Sequence, residues 1–158
     1  MAMARFRYPS RLVNPPPTSA ATSHVMRANR ARDTRPELDL RRSLWRAGLR
    51  GYRLHKRDIP GRPDLAYPSH KLAIFVNGCF WHACPRCRMP LPRSHSGFWK
   101  KKFDRNRERD RRKERELRER GWKVLTIWEC ELRRSVERCV ARVRSAFPKL
   151  RVVPRASR

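Results

Sequence analysis

An α/β domain with a mixed central sheet flanked by helices is the fold class this sequence predicts, and three observations carry the prediction. The apolar runs Leu72–Val76 and Val124–Trp128 are five residues each, the length of buried strands. Between them, Ser96 to Arg120 is a long charged stretch with apolar residues at helical spacing, closed by Gly121, which reads as a helix with a glycine stop. Helices and strands therefore interleave along the chain, as they do in layered α/β domains.

Taken in order, Asp33-Thr34-Arg35-Pro36-Glu37 has the signature of a helix start: Thr34 as N-cap, Pro36 in the first turn, and Glu37 three residues after the cap. Leu38, Leu40, Leu44, Trp45 and Leu49 continue the helix over about 35–48, until Gly48 and Gly51 stop it. Gly51–His55 and Leu65–Tyr67 read as short strands on either side of the turn Ile59-Pro60-Gly61-Arg62-Pro63, and with Lys71–Val76 they suggest a meander. Lys123–Trp128 is a further strand, and a last helix covers about 132–146, before Pro148.

At 158 residues the chain has room for one domain with a modest core. Lys and Arg total 41 against 14 Asp and Glu, a formal charge of +27, which marks nucleic acid as the expected partner. A membrane span is excluded, because five-residue apolar runs fall far short of the ~20 residues it requires. The first 32 residues hold no acidic residue and include Pro15-Pro16-Pro17, a composition unable to bury a core. Residues 1–21 are therefore expected to form a basic tail, 22–147 the domain, with 22–34 as an arm on the DNA, and 148–158 a second basic tail. With no secretory segment and five cysteines, an odd number, a disulfide framework is a poor reading and a cytoplasmic setting is expected.

Cys84-Pro85-Arg86-Cys87 is a knuckle with the spacing that lets two thiolates grip one tetrahedral zinc. A redox pair would open a helix within a βαβ unit, whereas this one follows a strand and enters the stretch Met89-Pro90-Leu91-Pro92. Cys130 offers a third ligand, and Asp110 a fourth. Cys79 and Cys139 read more simply as small buried apolar residues. Asp110 has an alternative, because it lies on the inward stripe Trp99, Phe103, Asn106, Asp110, Lys113, Leu117 of the long helix. A carboxylate there pairs either with one of the many arginines or with a metal.

Gly61-Arg62-Pro63-Asp64 sets a carboxylate at the start of one strand, and Val76-Asn77-Gly78-Cys79-Phe80-Trp81-His82 sets an imidazole after the end of the next. Phosphodiester hydrolysis needs a cation to neutralise phosphate charge and a base to activate water, and Asp64 with His82 would supply the Mg²⁺ ligand and the base. The alternatives are that Asp64 caps its turn and His82 is a zinc ligand. Phe80 and Trp81 are adjacent, so in a strand one of them faces out, where it could stack on bases or wedge into a duplex; otherwise one packs beneath the long helix. Lys100–Arg120 carries 12 basic and 6 acidic residues, so many of its charges can pair at i, i+4 and only part of it is left to face phosphate.

Together, Gly61-Arg62-Pro63-Asp64, Val76 to His82, Asn106-Arg107-Glu108-Arg109-Asp110-Arg111-Arg112, Gly121-Trp122-Lys123-Val124-Leu125 and Trp128-Glu129-Cys130 resemble the very-short-patch (Vsr-type) mismatch repair endonucleases, from about Ser23 to Leu132. That resemblance implies a restriction-endonuclease-like fold with a structural zinc, and Mg²⁺-dependent nicking 5′ of the thymine in T·G mismatches in double-stranded DNA. By position it implies Asp64 and the carbonyl of Val76 as Mg²⁺ contacts, His82 as general base and Glu37 as the carboxylate supporting it. Phe80, Trp81 and Met26 match residues that wedge beside the mismatch, and Lys102 and Asn106 match contacts to its bases. Cys84, Cys87, Asp110 and Cys130 match the zinc set. Asn77 stands where the best-known members have a second active-site histidine; its amide can still donate a hydrogen bond. A monomer is expected, working at the nucleoid during repair. Two rival readings are a restriction-type nuclease of the same fold without mismatch specificity, and a zinc-stabilised DNA-binding module without catalysis.

Overall fold

The structure, a computed structural model, describes residues 32–147. The two tails and most of the 22–34 arm, Met26 included, lie outside the described residues.

Helix α1 (Arg35–Arg46) begins at Thr34, which is extended as an N-cap should be (φ −66°, ψ 155°). The Thr34 hydroxyl does not cap the helix; it donates to Glu37 Oε1 at 2.9 Å. Glu37 does the capping in reverse, its Oε2 accepting the Asp33 N–H at 3.1 Å.

Strand β1 covers only Arg53–Leu54, shorter than the expected Gly51–His55. Positive φ at both Gly51 (+88°) and His55 (+45°) turns the chain out of the extended region on either side. β2 (Leu65–Tyr67) and β3 (Leu72–Asn77) follow, joined by a 3₁₀ turn at Pro68–His70. The long helix α2 (Ser96–Glu119) then crosses to β4 (Lys123–Trp128). The expected last helix is two: α3 (Glu129–Arg134) and α4 (Val136–Ala146). Ser135 breaks them, because its extended backbone places its hydroxyl to accept the Arg138 N–H at 3.3 Å, an N-cap in mid-segment.

The sheet order is β1-β2-β3-β4. The first three strands form the expected antiparallel meander, and β4 pairs parallel with β3, from Leu72 opposite Lys123 to Asn77 opposite Trp128. Strand alternation divides the core between two faces. On one, Leu65, Tyr67, Leu72, Ile74 and Ile127 meet Leu40 and Leu44 of α1 and Val140 and Val143 of α4. On the other, Ala66, Ala73 and Leu117 of α2 are buried with Ile59. Ala66 and Ala73 are cross-strand partners, small enough to let α2 lie close to the sheet. Each fully buried Leu or Ile contributes roughly 1.5–3 kcal/mol.

The register also places the chemistry. Leu65 opposes Ile74, so Asp64, one residue before β2, lies beside the last residues of β3. The strand ends of β2, β3 and β4, with the middle of α2, therefore share one edge. Among the described residues, no helix is long and apolar enough to cross a membrane.

Candidate active site and metal centre

Asp64 extends the sheet with its side chain. β2 has not yet begun, and Asp64 Oδ2 takes the place of a backbone acceptor, receiving the Val76 N–H at 2.7 Å. In an extended strand the carbonyl of a residue points to the same side as its N–H, so the Val76 carbonyl faces the Asp64 side. Burial, reinforced by the negative charge of Glu37, pushes the Asp64 carboxyl above the usual range against the pull of the Val76 N–H, His55 and Lys113.

The turn after β3 folds back on itself, with the His82 N–H on Gly78 O at 3.2 Å and the Cys84 N–H on Cys79 O at 2.9 Å. This delivers His82 to α2, where Nδ1 lies 2.5 Å from Asp110 Oδ2. A carboxylate accepts, so Nδ1 carries the proton and Nε2 is left as the acceptor. Although burial opposes it, the His82 bond, with Arg109 and Lys113, holds the Asp110 carboxyl below the usual range. Asp64, Asn77, His82 and Asp110 line one cleft of about 1220 Å³.

Two residues do not sit where the resemblance put them. Glu37 is buried and fully engaged at the start of α1 and with Arg41 (2.9 Å); the imidazole near it is His55, at 3.8 Å, not His82. The carboxylate on His82 is Asp110, which accordingly is not in the cysteine cluster. The four sulfurs gathered within 4.8 Å of one another belong to Cys79, Cys84, Cys87 and Cys130. The same turn that carries His82 towards α2 brings Cys79 back to Cys84.

That cluster fits a tetrahedral metal. A zinc–sulfur bond of ~2.3 Å requires sulfur–sulfur edges of roughly 3.8 Å, and Cys84 Sγ lies 3.8 Å from Cys130 Sγ. The Cys130 N–H donates to Cys79 Sγ at 3.3 Å, the kind of bond that supports a bound thiolate. Burial pushes the Cys79 and Cys130 thiols up. At Cys84 burial is outweighed by the N–H groups of Cys87 and Arg86 and by the neighbouring thiols, so its thiol is lowered.

Phe80 and Trp81 lie in the turn, not in a strand, and both are half-buried. Neither stands free as the strand argument required: Phe80 packs edge-on against Trp99 (5.4 Å) and Phe103 (5.3 Å), and Trp81 lies 6.1 Å from Trp99. Lys102 Nζ sits 5.0 Å above Trp81 and 5.1 Å above Trp99. Asn106 Nδ2 donates to the Trp81 carbonyl at 2.8 Å. Trp81, Lys102 and Asn106 thus form one wall of the Asp64 cleft.

Four residues of the site were not singled out by the sequence: Cys79, His55, Arg41 and Lys113. Cys79 had a signal, since it follows a glycine at a strand end and stands five residues before the knuckle. Lys113 had one too, on the inward stripe; burial lowers its ammonium, and it lines the cleft near Asp64 and Asp110. Nothing local marks His55 or Arg41, whose meeting depends on how α1 packs against the end of β1.

The fold and this site define a class, the nucleases with a carboxylate and a histidine at one sheet edge, and comparison with known proteins supplies the family. Residues 17–87 match the family model described as DNA mismatch endonuclease Vsr. The type II nicking enzyme V.XorIIP of Xanthomonas oryzae pv. oryzae is 46% identical over 110 residues, 69% of this chain and 79% of its own length. The DNA mismatch endonuclease Vsr of Escherichia coli K12 is 41% identical over 114 residues, 72% of each chain. V.NaeI, a type II nicking enzyme of Lentzea aerocolonigenes, is 38% identical over 134 residues, 82% of this chain and 80% of its own. This chain belongs to the Vsr family of DNA mismatch endonucleases.

Proposed function

We propose that the protein nicks double-stranded DNA on the 5′ side of the thymine in a T·G mismatch, with Mg²⁺ at Asp64 and the Val76 carbonyl and a structural zinc on Cys79, Cys84, Cys87 and Cys130. The observation that carries the reading is the His82–Asp110 pair at 2.5 Å in the cleft that Asp64 lines. Asp64 is the carboxylate expected to hold a cation, because its burial beside Glu37 is a cost that a divalent ion offsets. Such an ion supplies Lewis-acid stabilisation of phosphate charge.

The residues divide the work. Asp110 fixes the His82 ring, so that Nε2 faces the water and takes its proton as the phosphodiester is attacked. The Asn77 amide, in the lining of the same cleft, donates to a phosphate or leaving-group oxygen in this reading. Trp81, Lys102 and Asn106 meet the mismatched pair, with Phe80 buttressing Trp81 (5.0 Å) against the aromatic residues of α2. The name of the Escherichia coli relative and the family description both support mismatch specificity. Other relatives are named nicking enzymes, in keeping with cleavage of a single strand.

The test is an end-labelled duplex panel carrying T·G, C·G or T·A at one position, incubated with Mg²⁺ and resolved by strand. The expected result is one nick 5′ of the thymine in the T·G duplex alone, lost in Asp64→Ala. Equal cutting of all three duplexes refutes mismatch specificity and leaves the restriction-type reading; intact phosphodiesters throughout leave only the DNA-binding module.

A further inference from the structure

We infer that His55 is a positioning residue for Asp64, locked by Arg41 into the tautomer that turns its Nδ1–H towards the carboxylate oxygen left free by the sheet. The inference rests on the reading of Asp64 as the metal-binding carboxylate.

The hydrogen-bond roles decide the tautomer. Arg41 NH2 lies 3.0 Å from His55 Nε2, and a guanidinium has only donors. Nε2 therefore accepts, and the ring proton is on Nδ1. Arg41 is itself fixed: it is buried, and it donates to Asp33 Oδ1 at 2.5 Å and to Glu37 Oε2 at 2.9 Å. On the other side of the ring, Nδ1 is 3.9 Å from Asp64 Oδ1. That is beyond hydrogen-bond length, yet near enough for the ring to favour the Asp64 carboxylate. Asp64 Oδ2 is already held by the Val76 N–H, so His55 addresses the oxygen the sheet does not.

Backbone geometry supports the same role independently. His55 has φ +45°, a region that costs a non-glycine residue free energy and is found where surrounding structure holds a functional group in place. Here that turn ends β1 and swings the imidazole inward, leaving its side chain only 15% exposed.

The same geometry excludes two other roles. With its proton on Nδ1 and its Nε2 lone pair taken by Arg41, the ring has no nitrogen free to ligate a metal. Asp33, Glu37 and His55 do form a group compact enough to hold an ion. Its centre, however, is occupied by the Arg41 guanidinium, which supplies the positive charge.

The test reads metal binding without catalysis. Mn²⁺ is titrated by electron paramagnetic resonance into the zinc-loaded full chain in the absence of DNA, and the His55 tautomer is read from ¹⁵N imidazole shifts in the metal-free site. His55→Asn keeps a donor at the Nδ1 position and tolerates the left-handed backbone; His55→Gln keeps polarity at the Nε2 position instead. We expect the Nδ1–H tautomer in the wild type. His55→Gln and His55→Ala should weaken Mn²⁺ binding about tenfold or more, the usual cost of losing an outer-sphere partner, while His55→Asn stays within about threefold of wild type. An Nε2–H tautomer, or rescue by Gln in place of Asn, overturns the inference, since the second would mean that His55 serves Arg41 alone. If Asp64→Ala abolishes Mn²⁺ binding and His55→Asn and His55→Gln both bind like wild type, this inference fails alone. If Asp64→Ala itself binds like wild type, the metal reading beneath it fails too.

Discussion

The surroundings of Asp64 disfavour a negative charge. Burial and Glu37 raise its carboxyl above the usual range, and the Val76 N–H only partly opposes them. A carboxyl whose folded pKa exceeds its unfolded one favours the native state while protonated, and that advantage is lost as pH rises through the folded value. Between the ordinary carboxyl value of 3.8 and the raised one, then, stability should fall as pH rises, and above the raised value the free carboxylate is a net cost. Asp64→Asn removes that cost and keeps an acceptor for the Val76 N–H. Without Mg²⁺, thermal melts at pH 7 should show Asp64→Asn a few degrees above wild type, on a scale of ~4 °C per kcal/mol. The gap should close as pH falls to ~4 and shrink on adding Mg²⁺, which stabilises only the wild type by mass action. A variant no more stable than wild type at pH 7 would mean that Asp64 is not held under strain for a cation.

At the scale of elements, periodicity revealed β3, β4 and the long helix because each is set by burial along its own length. Leu72, Ile74 and Ile127 alternate into one face and Ala73 into the other, and a pattern of that kind is local. What escaped depended on backbone outside the regular regions. Cys79 reads in the sequence as a small buried apolar residue, and it joins the cluster because the 78–84 segment doubles back through Ala83 at φ +48°. His55 left its strand by the same kind of turn. Asp110 stands at His82 where Glu37 was expected, and Glu37 stands near His55, because the histidine nearest each is chosen by how α1 and α2 pack, which spacing does not encode. The contact that aims Asp64 is of this class. Gly61 (φ +73°) touches α2 so closely that an added Cβ would lie 2.9 Å from Lys113 Cβ and 3.0 Å from its Cγ. Neither atom is a flexible end, so in Gly61→Ala the 59–63 turn must lift from the helix, three residues before Asp64. We expect a stability loss of about 1–3 kcal/mol by denaturant unfolding, together with a slower nicking rate. An alanine variant that nicks at the wild-type rate would show that the turn does not set the carboxylate.

Over the whole molecule, charge and metal do different work. The formal charge of +27 overstates what is free for phosphate on α2, because Lys100 and Arg107 share Asp104, Arg118 pairs with Glu114, and Arg120 with Glu116. Each such exposed pair is worth little to stability, so holding the small domain together falls to its core and to the four cysteines. These join the turn after β3, through Cys79, Cys84 and Cys87, to the start of α3 at Cys130. Arg86, from the same segment, also pairs with Glu131 of α3. A closed four-sulfur site would add folding free energy directly, and it would carry the turn holding His82. Stability and catalysis can therefore be separated by two substitutions that the two ligand sets rank oppositely. Cys79→Ser should lose the roughly one zinc per chain that a structural site binds, and melt well below wild type. Asp110→Asn should keep its zinc and its melting temperature, yet nick on the order of 10²- to 10⁴-fold more slowly, because the amide no longer fixes the tautomer of His82. Zinc analysis, thermal melts and single-turnover nicking on the same preparations decide it. Loss of zinc from Asp110→Asn with retention in Cys79→Ser would return Asp110 to the metal and leave His82 without its partner.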